Sequence, residues 1–164
     1  MESVRIVENK ALLLAGCLVE YKDRSNDWAK WEEMDSKADV DPKYAHHHLV
    51  NDHHAHSVFL YRKNNIYVFT RLEVTDEVVD TAWEYMQFPP ATYAVFELDY
   101  KVDQGPQYEA IENWIKDNKS VYKRIEWDAN GKVDLSTYAI YIYKHDGKFK
   151  DSKIVECWIP FVKQ

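Results

Sequence analysis

The chain has 164 residues, 46% of them apolar, enough for one domain with its own core. Its formal net charge is −7 and no basic run stands out, which argues against duplex nucleic acid, because phosphate binding needs clustered Lys and Arg. An acidic chain tolerates or attracts cations instead. Two isolated cysteines, Cys17 and Cys157, make no disulfide framework, and the N-terminus lacks an apolar signal core. With no apolar run of about 18 residues, these features predict a cytoplasmic protein with reduced thiols and no membrane partner.

The aromatic content is the unusual feature: 12 Tyr, 6 Trp and 6 Phe against 4 Gly and 5 Pro. Aromatics beyond the needs of a core line ligand sites, because they join flat apolar faces to polar tips. The plainer reading is a tyrosine-rich sheet.

In chain order, RIVENKALLLAGCLVEY (Arg5 to Tyr21) reads as a short strand, a turn at Asn9-Lys10 and a longer apolar strand. SNDWAKWEEMDSKAD then places Trp28, Trp31, Met34 and Ala38 at helical spacing, behind a cap from Ser25, Asn26 or Asp27. KYAHHHLVNDHHAHSVF (Lys43 to Phe59) holds six of the seven histidines. It reads as a loop. The consecutive His46, His47 and His48 cannot all face one ion and no helical HExxH exists, so no metal is expected, although His53, His54 and His56 have residue types that suit zinc. SVFLYRKNNIYVFTRLEV follows as a hairpin turning at Asn64-Asn65.

The second half echoes the first. EYMQFPPATYAVFELDY (Glu84 to Tyr100) is again strand, turn at Pro89-Pro90, strand. DQGPQYEAIENWIKDN carries Tyr108, Ile111, Trp114 and Ile115 at helical spacing, with Pro106 in the first turn. TYAIYIYKHDGKFKDSKIVECWIPFV is a hairpin with a loop around Asp146-Gly147. The turns lie 80 residues apart, as do Leu60 and Ile140, and Tyr61 and Tyr141. The pattern predicts a single α+β domain over 1–164, made of a duplicated β-α-β-β repeat (about 4–75 and 82–163). The repeats form a curved antiparallel sheet with two helices on one face and a ligand groove on the other. DANG at Asp128 to Gly131 is a turn, not a calcium loop. No P-loop, dinucleotide fingerprint or nucleophile elbow occurs, and no cofactor is expected.

Side chains alternate between strand faces, so each late strand has an aliphatic side and an aromatic, polar side. Val68 with Ile66, Ile140 with Ile142, and Val155, Cys157 with Ile159 are expected under the helices. Tyr67, Phe69, Arg71, Tyr141, Tyr143, Trp158 and Glu156 are then expected to form the groove, with Phe59, Tyr61 and His54 at its margin. His56, in register with Val58 and Leu60, is expected to turn toward the helices. Glu156 is the most informative residue. An acid between Val155 and Cys157 is at least partly desolvated and needs a partner; it reads as a ligand anchor or general base, the alternatives being an edge position facing water or pairing with Arg71.

These motifs resemble those of a known family. ECWIPFV resembles the C-terminal ending of gyrase-inhibitor-like (GyrI-like) effector-binding domains. FPPATYAVFEL resembles that family's strand opening its second half, and IVENKALLLAGCL its first strand pair, including Gly16. The resemblance implies two β-α-β-β repeats and an aromatic small molecule, often cationic, bound between them, with Glu156 as the pocket glutamate. The chain shows no helix-turn-helix segment, so it resembles the stand-alone branch. Some members of that branch hydrolyse cyclopropane-bearing, DNA-alkylating natural products. By that analogy Glu156, its pKa raised by burial, takes a proton from the attacking water, and Tyr141 or Tyr143 donates to the developing oxyanion. The alternatives are a non-catalytic drug-sequestering or sensing module and, less favoured, a gyrase-interacting inhibitor.

Overall fold

Two strands of 16 residues, β1 (Arg5–Glu20) and β4 (Glu84–Asp99), organise the molecule in the computed structural model. The described residues are 4–22, 24–45, 48–51, 54–62, 65–78, 81–124, 138–144 and 154–163. Among them the other elements are β2 (His54–Arg62), β3 (Asn65–Glu73), β5 (Tyr122–Arg124), β6 (Tyr138–Lys144), β7 (Ile154–Lys163), α1 (Arg24–Ala38) and α2 (Gly105–Asp117). The result is α+β, with every strand pairing antiparallel.

The sheet runs β4-β1-β3-β2-β6-β7-β5, and β4 also pairs with β7. The ladder therefore returns on itself. Six strands close a ring, and β5 is appended to the edge of β7 beyond β6. The groove expected on an open curved sheet is thus the interior of a barrel. Closure removes the exposed edges that an open sheet would leave on β4 and β7. Following the pairing from Glu97 around the ring, through Glu156, Ile142, His56, Arg71 and Gly16, leads back to β4 at Glu84, 13 residues earlier. So large a stagger over six strands tilts them steeply and widens the interior.

Asn9-Lys10 and Pro89-Pro90, expected to be turns, are bends within continuous strands. Between the pairs Val7–Tyr93 and Lys10–Ala91 the extra residue lies on β1; between Lys10–Ala91 and Leu12–Phe88 it lies on β4. Asn9 takes a left-handed conformation (φ 53°), which Asn tolerates better than most residues. Prolines have no N–H to give the ladder, so the partner bulge falls at Pro89-Pro90. The two bulges compensate, and each flips the inward parity of its strand. Val7 and then Leu12 and Leu14 face inward on β1; Met86 and Phe88 and then Tyr93 and Val95 do so on β4.

Three apolar clusters result. The barrel interior packs Leu12, Leu14, Val58, Leu60, Phe69, Phe88, Tyr93, Val95, Tyr138, Ile140, Ile142 and Trp158. Outside the ring, α2 lays Ile111, Trp114 and Ile115 on Phe96, Leu98, Val155, Cys157, Ile159 and Phe161. Pro106 starts this helix as expected. Gln107 then ties it to the end of β4, accepting from Asp99 N at 2.7 Å and donating to Asp99 O at 3.0 Å. On the other half, Met34 of α1 packs with Ala15, Cys17, Val74 and Trp83. The side chains of Trp28 and Trp31, the predicted turn residue Asn64, and the loops around Asp128–Gly131 and Asp146–Gly147 lie outside the described residues.

Candidate functional site

Glu156 is the third residue of β7, where the alternation of VECWIPF turns Val155, Cys157 and Ile159 toward α2 and Glu156 and Trp158 into the barrel. Only 3% of Glu156 is exposed. A carboxylate so placed must be paired, and it is paired three ways. Arg5 Nη2 donates to Oε2 at 3.1 Å, Lys144 Nζ donates to the same oxygen at 3.0 Å, and Trp158 Nε1 donates to Oε1 at 3.1 Å. Arg5 also lies over the Trp158 ring, 5.9 Å from its centroid. Burial alone would push the carboxyl up. The hydrogen bonds from Lys144 and Trp158, with the charges of Lys144 and Arg5, outweigh that and hold it below the ordinary carboxylate range. The expectation of a raised pKa was wrong in sign because the burial comes with two cations.

The register explains how residues so far apart meet. Ile142 pairs with Glu156, and His54 with Lys144, so Lys144 and His54 stand at the same rim. Arg5 pairs with Val95, which pairs with Trp158, so the bulge at Asn9 leaves Arg5 facing inward beside the indole. His56 pairs with Ile142 and is 2% exposed, inside the barrel rather than under a helix. Among the described residues its Nδ1 has no hydrogen-bond partner. Burial, with the nearby His54 and Lys10, pushes its pKa down to about 3, so the ring is neutral at physiological pH. Lys10 pairs with Glu73 at 3.0 Å at the same end.

Of the residues expected in the groove, Glu156, Trp158, Tyr67, Phe69 and His54 share the interior face. Tyr141, Tyr143 and Phe59 do not. Tyr141 and Tyr143 belong to the cluster under α2, where Tyr108 Oη donates to Tyr141 Oη at 3.4 Å and Tyr100 packs edge-on to Tyr143. Phe59 meets Tyr21 and Tyr141 edge-on, at 5.1 and 5.2 Å between ring centroids. The rule that aliphatic sides go under the helices holds for β7 and fails for β2 and β6. Val58, Leu60, Ile140 and Ile142 face inward instead. β6 is buried on both faces, so hydrophobicity there carries no sign of direction. Arg71 pairs through its backbone with His56 and Gly16. The side chains of Arg71 and Tyr61 lie outside the described residues.

Sequence reasoning missed Arg5, Lys144 and the inward turn of His56. Parity groups Lys144 with Ile140 and Ile142, and His56 with Val58 and Leu60, but it does not say which face of β2 and β6 turns inward; the register with β7 decides that. As for metals, no group of three or more His, Cys, Asp or Glu among the described residues is placed to hold one. His48 pairs with Asp76 on the surface, while His46, His47, Asp52 and His53 lie outside the described residues. Among the described residues no helix is long and apolar enough to cross a membrane.

A ring of antiparallel strands with helices outside defines the class of fold. That fold is shared with solved structures over nearly the full chain. SAV2435 bound to tetraphenylphosphonium matches with a TM-score of 0.62 and 13% identity, over 98% of this chain and 94% of that one. The C-terminal domain of EcmrR matches with a TM-score of 0.67 and 15% identity, over 99% and 98%. A putative transcription regulation protein from Staphylococcus aureus MU50 matches with a TM-score of 0.56 and 16% identity, over 97% of each chain. At such identities the likeness is one of fold alone. No protein-family model matches the chain. No curated protein matches it.

Proposed function

We propose that this chain binds small aromatic molecules inside the barrel, at the end marked by Glu156 and Trp158. The observation that carries the reading is the buried Glu156. A stable core has no need of an ionised residue at its centre, since apolar replacement of such a group is commonly neutral or stabilising. Here the carboxylate lies beside an indole, under the flexible side chains of Arg5 and Lys144, whose exposures are 56% and 38%. The side chains that cover the site are therefore those that move most freely into water. SAV2435, on the same fold, is bound to tetraphenylphosphonium, an aromatic molecule of small size.

Binding or sequestration suits the geometry better than hydrolysis. An ionised carboxylate already accepting from three donors is a weak base for water, and Tyr141 and Tyr143 face the helix, away from it. Hydrolysis of a cyclopropane-bearing toxin would need Glu156 released and a different oxyanion donor.

Intrinsic tryptophan fluorescence and calorimetry with tetraphenylphosphonium, tetraphenylborate and uncharged triphenylphosphine oxide test the reading. At least one probe should bind saturably, one per chain. Trp158→Leu should weaken that binding by about tenfold or more, while Tyr141→Phe leaves it unchanged. Absence of saturable binding by all three, or equal effects of the two substitutions, would overturn it.

A further inference from the structure

We infer that Arg5 and Lys144 act as an internal occupant of the cation position at Glu156, and that the site therefore prefers an aromatic ligand without positive charge to an isosteric cation. The inference rests on the binding reading above and deepens it.

A bound organic cation in an aromatic, acidic site would rest over a ring face and close to a carboxylate. Arg5 already does both, over Trp158 and against Glu156 Oε2. Lys144 takes the same oxygen from the opposite side of β7. An incoming cation gains Glu156 only by breaking two charge-assisted hydrogen bonds, and it meets two like charges on the way. A neutral or anionic ligand meets no such cost. Arginine carries five N–H donors and lysine three, so both have donors to offer beyond those spent on Glu156.

A second observation points to a ligand at the same end. His56 is 2% exposed and neutral, and among the described residues its Nδ1 has no partner, a position that costs stability unless something completes it. A ligand atom inside the barrel would do so, and a neutral imidazole nitrogen imposes no charge on it. The acids nearby do not restore a free anionic site. Glu73 is paired with Lys10, and Glu97, opposite Glu156 in the register, is exposed to water. The net charge of −7 acts at long range and steers cations toward the protein as a whole. Selection at the site is set by the charges that touch the ligand.

The test compares tetraphenylborate and tetraphenylphosphonium, which differ in charge and little in shape, with triphenylphosphine oxide as a smaller, uncharged probe. Calorimetry would measure each on wild type, Arg5→Gln, and Arg5→Gln/Lys144→Met. For the shifts between variants each probe's own hydration cancels. In wild type the cation should bind weakest. Arg5→Gln should tighten the cation by about threefold and the double variant by about tenfold or more, with the anion weakened. Arg5→Gln/Lys144→Met/Glu156→Gln removes all three charges, so no unpaired carboxylate threatens folding. It should abolish the charge preference. A wild type that prefers the cation, or a preference unmoved by these variants, overturns the inference and leaves the binding reading standing. No binding of any probe to any variant overturns both.

Discussion

Trp158 and Glu156 sit two residues apart on β7, on one face, joined by a hydrogen bond from Nε1 to Oε1 at 3.1 Å. Among the described residues the indole is the neutral donor to a carboxylate whose other oxygen takes two cations. Trp158→Phe keeps an aromatic ring in the interior and removes that donor. It should cost about 1–3 kcal/mol, the penalty for a buried charged acceptor left short of a partner, with some loss of packing. Urea denaturation at pH 7 measures it. A loss below about 0.5 kcal/mol would mean that Oε1 finds another donor and that the indole is there for its ring alone.

His56 and Glu156 together predict how stability responds to acid. The folded pKa of His56 is pushed down to about 3, so between that value and about 6.5 the unfolded chain binds a proton the folded chain refuses. This group's contribution is complete above pH 6.5 and drains away as pH falls toward 3. Glu156, held below its ordinary range, acts in the same direction but lower. Its contribution is present above the ordinary carboxylate pKa and is lost as pH falls through the depressed one. Denaturation midpoints should therefore fall from about pH 6.5 downward. His56→Phe should remove most of the loss between pH 6.5 and 4.5 and leave the steeper loss below. A wild-type profile flat from pH 7 to 4.5 would show that His56 charges freely in the folded protein.

The helix positions, the hairpin order and the inward Glu156 were legible because each has a local cause. Pro106 fits a helix start, and Glu156 stands out against Val155 and Cys157. The closure of the sheet was not legible, because pairing between β4 and β7 is a non-local event with no motif of its own. Nor were the faces of β2 and β6. Both are covered on each side, so Tyr141 and Ile142 are equally suited to burial, and only register decides between them. Arg5 was hidden for a related reason. Its inward direction depends on an extra residue at Asn9, and a one-residue slip changes every face before it.

That dependence makes Asn9 a point of leverage. A β-branched side chain resists the left-handed conformation, so Asn9→Val should destabilise by about 1–2 kcal/mol, while Asn9→Gly should be near neutral. Because the bulge aims Arg5, Asn9→Val should also loosen the contact with Glu156, visible as a weaker effect of a subsequent Arg5→Gln. Equal stability of the Val and Gly variants by thermal denaturation would show that the bulge can move along β1.

Tyr93 and Tyr138 offer a test of the barrel interior beyond Trp158, where the Tyr93 ring centroid lies 5.4 Å from that of the indole. Their hydroxyls meet at 2.6 Å with exposures of 0% and 2%, and burial raises both pKa values, that of Tyr93 to about 12. Each single change to Phe deprives a buried hydroxyl of this partner, whereas changing both removes donor and acceptor together. Tyr93→Phe should cost about 1–3 kcal/mol, and the double variant should cost less than the sum of the singles by about 1 kcal/mol. Strict additivity in the double-mutant cycle would mean that the two hydroxyls are satisfied separately. In that case the apolar floor beneath Trp158 is not braced by a bond between β4 and β6.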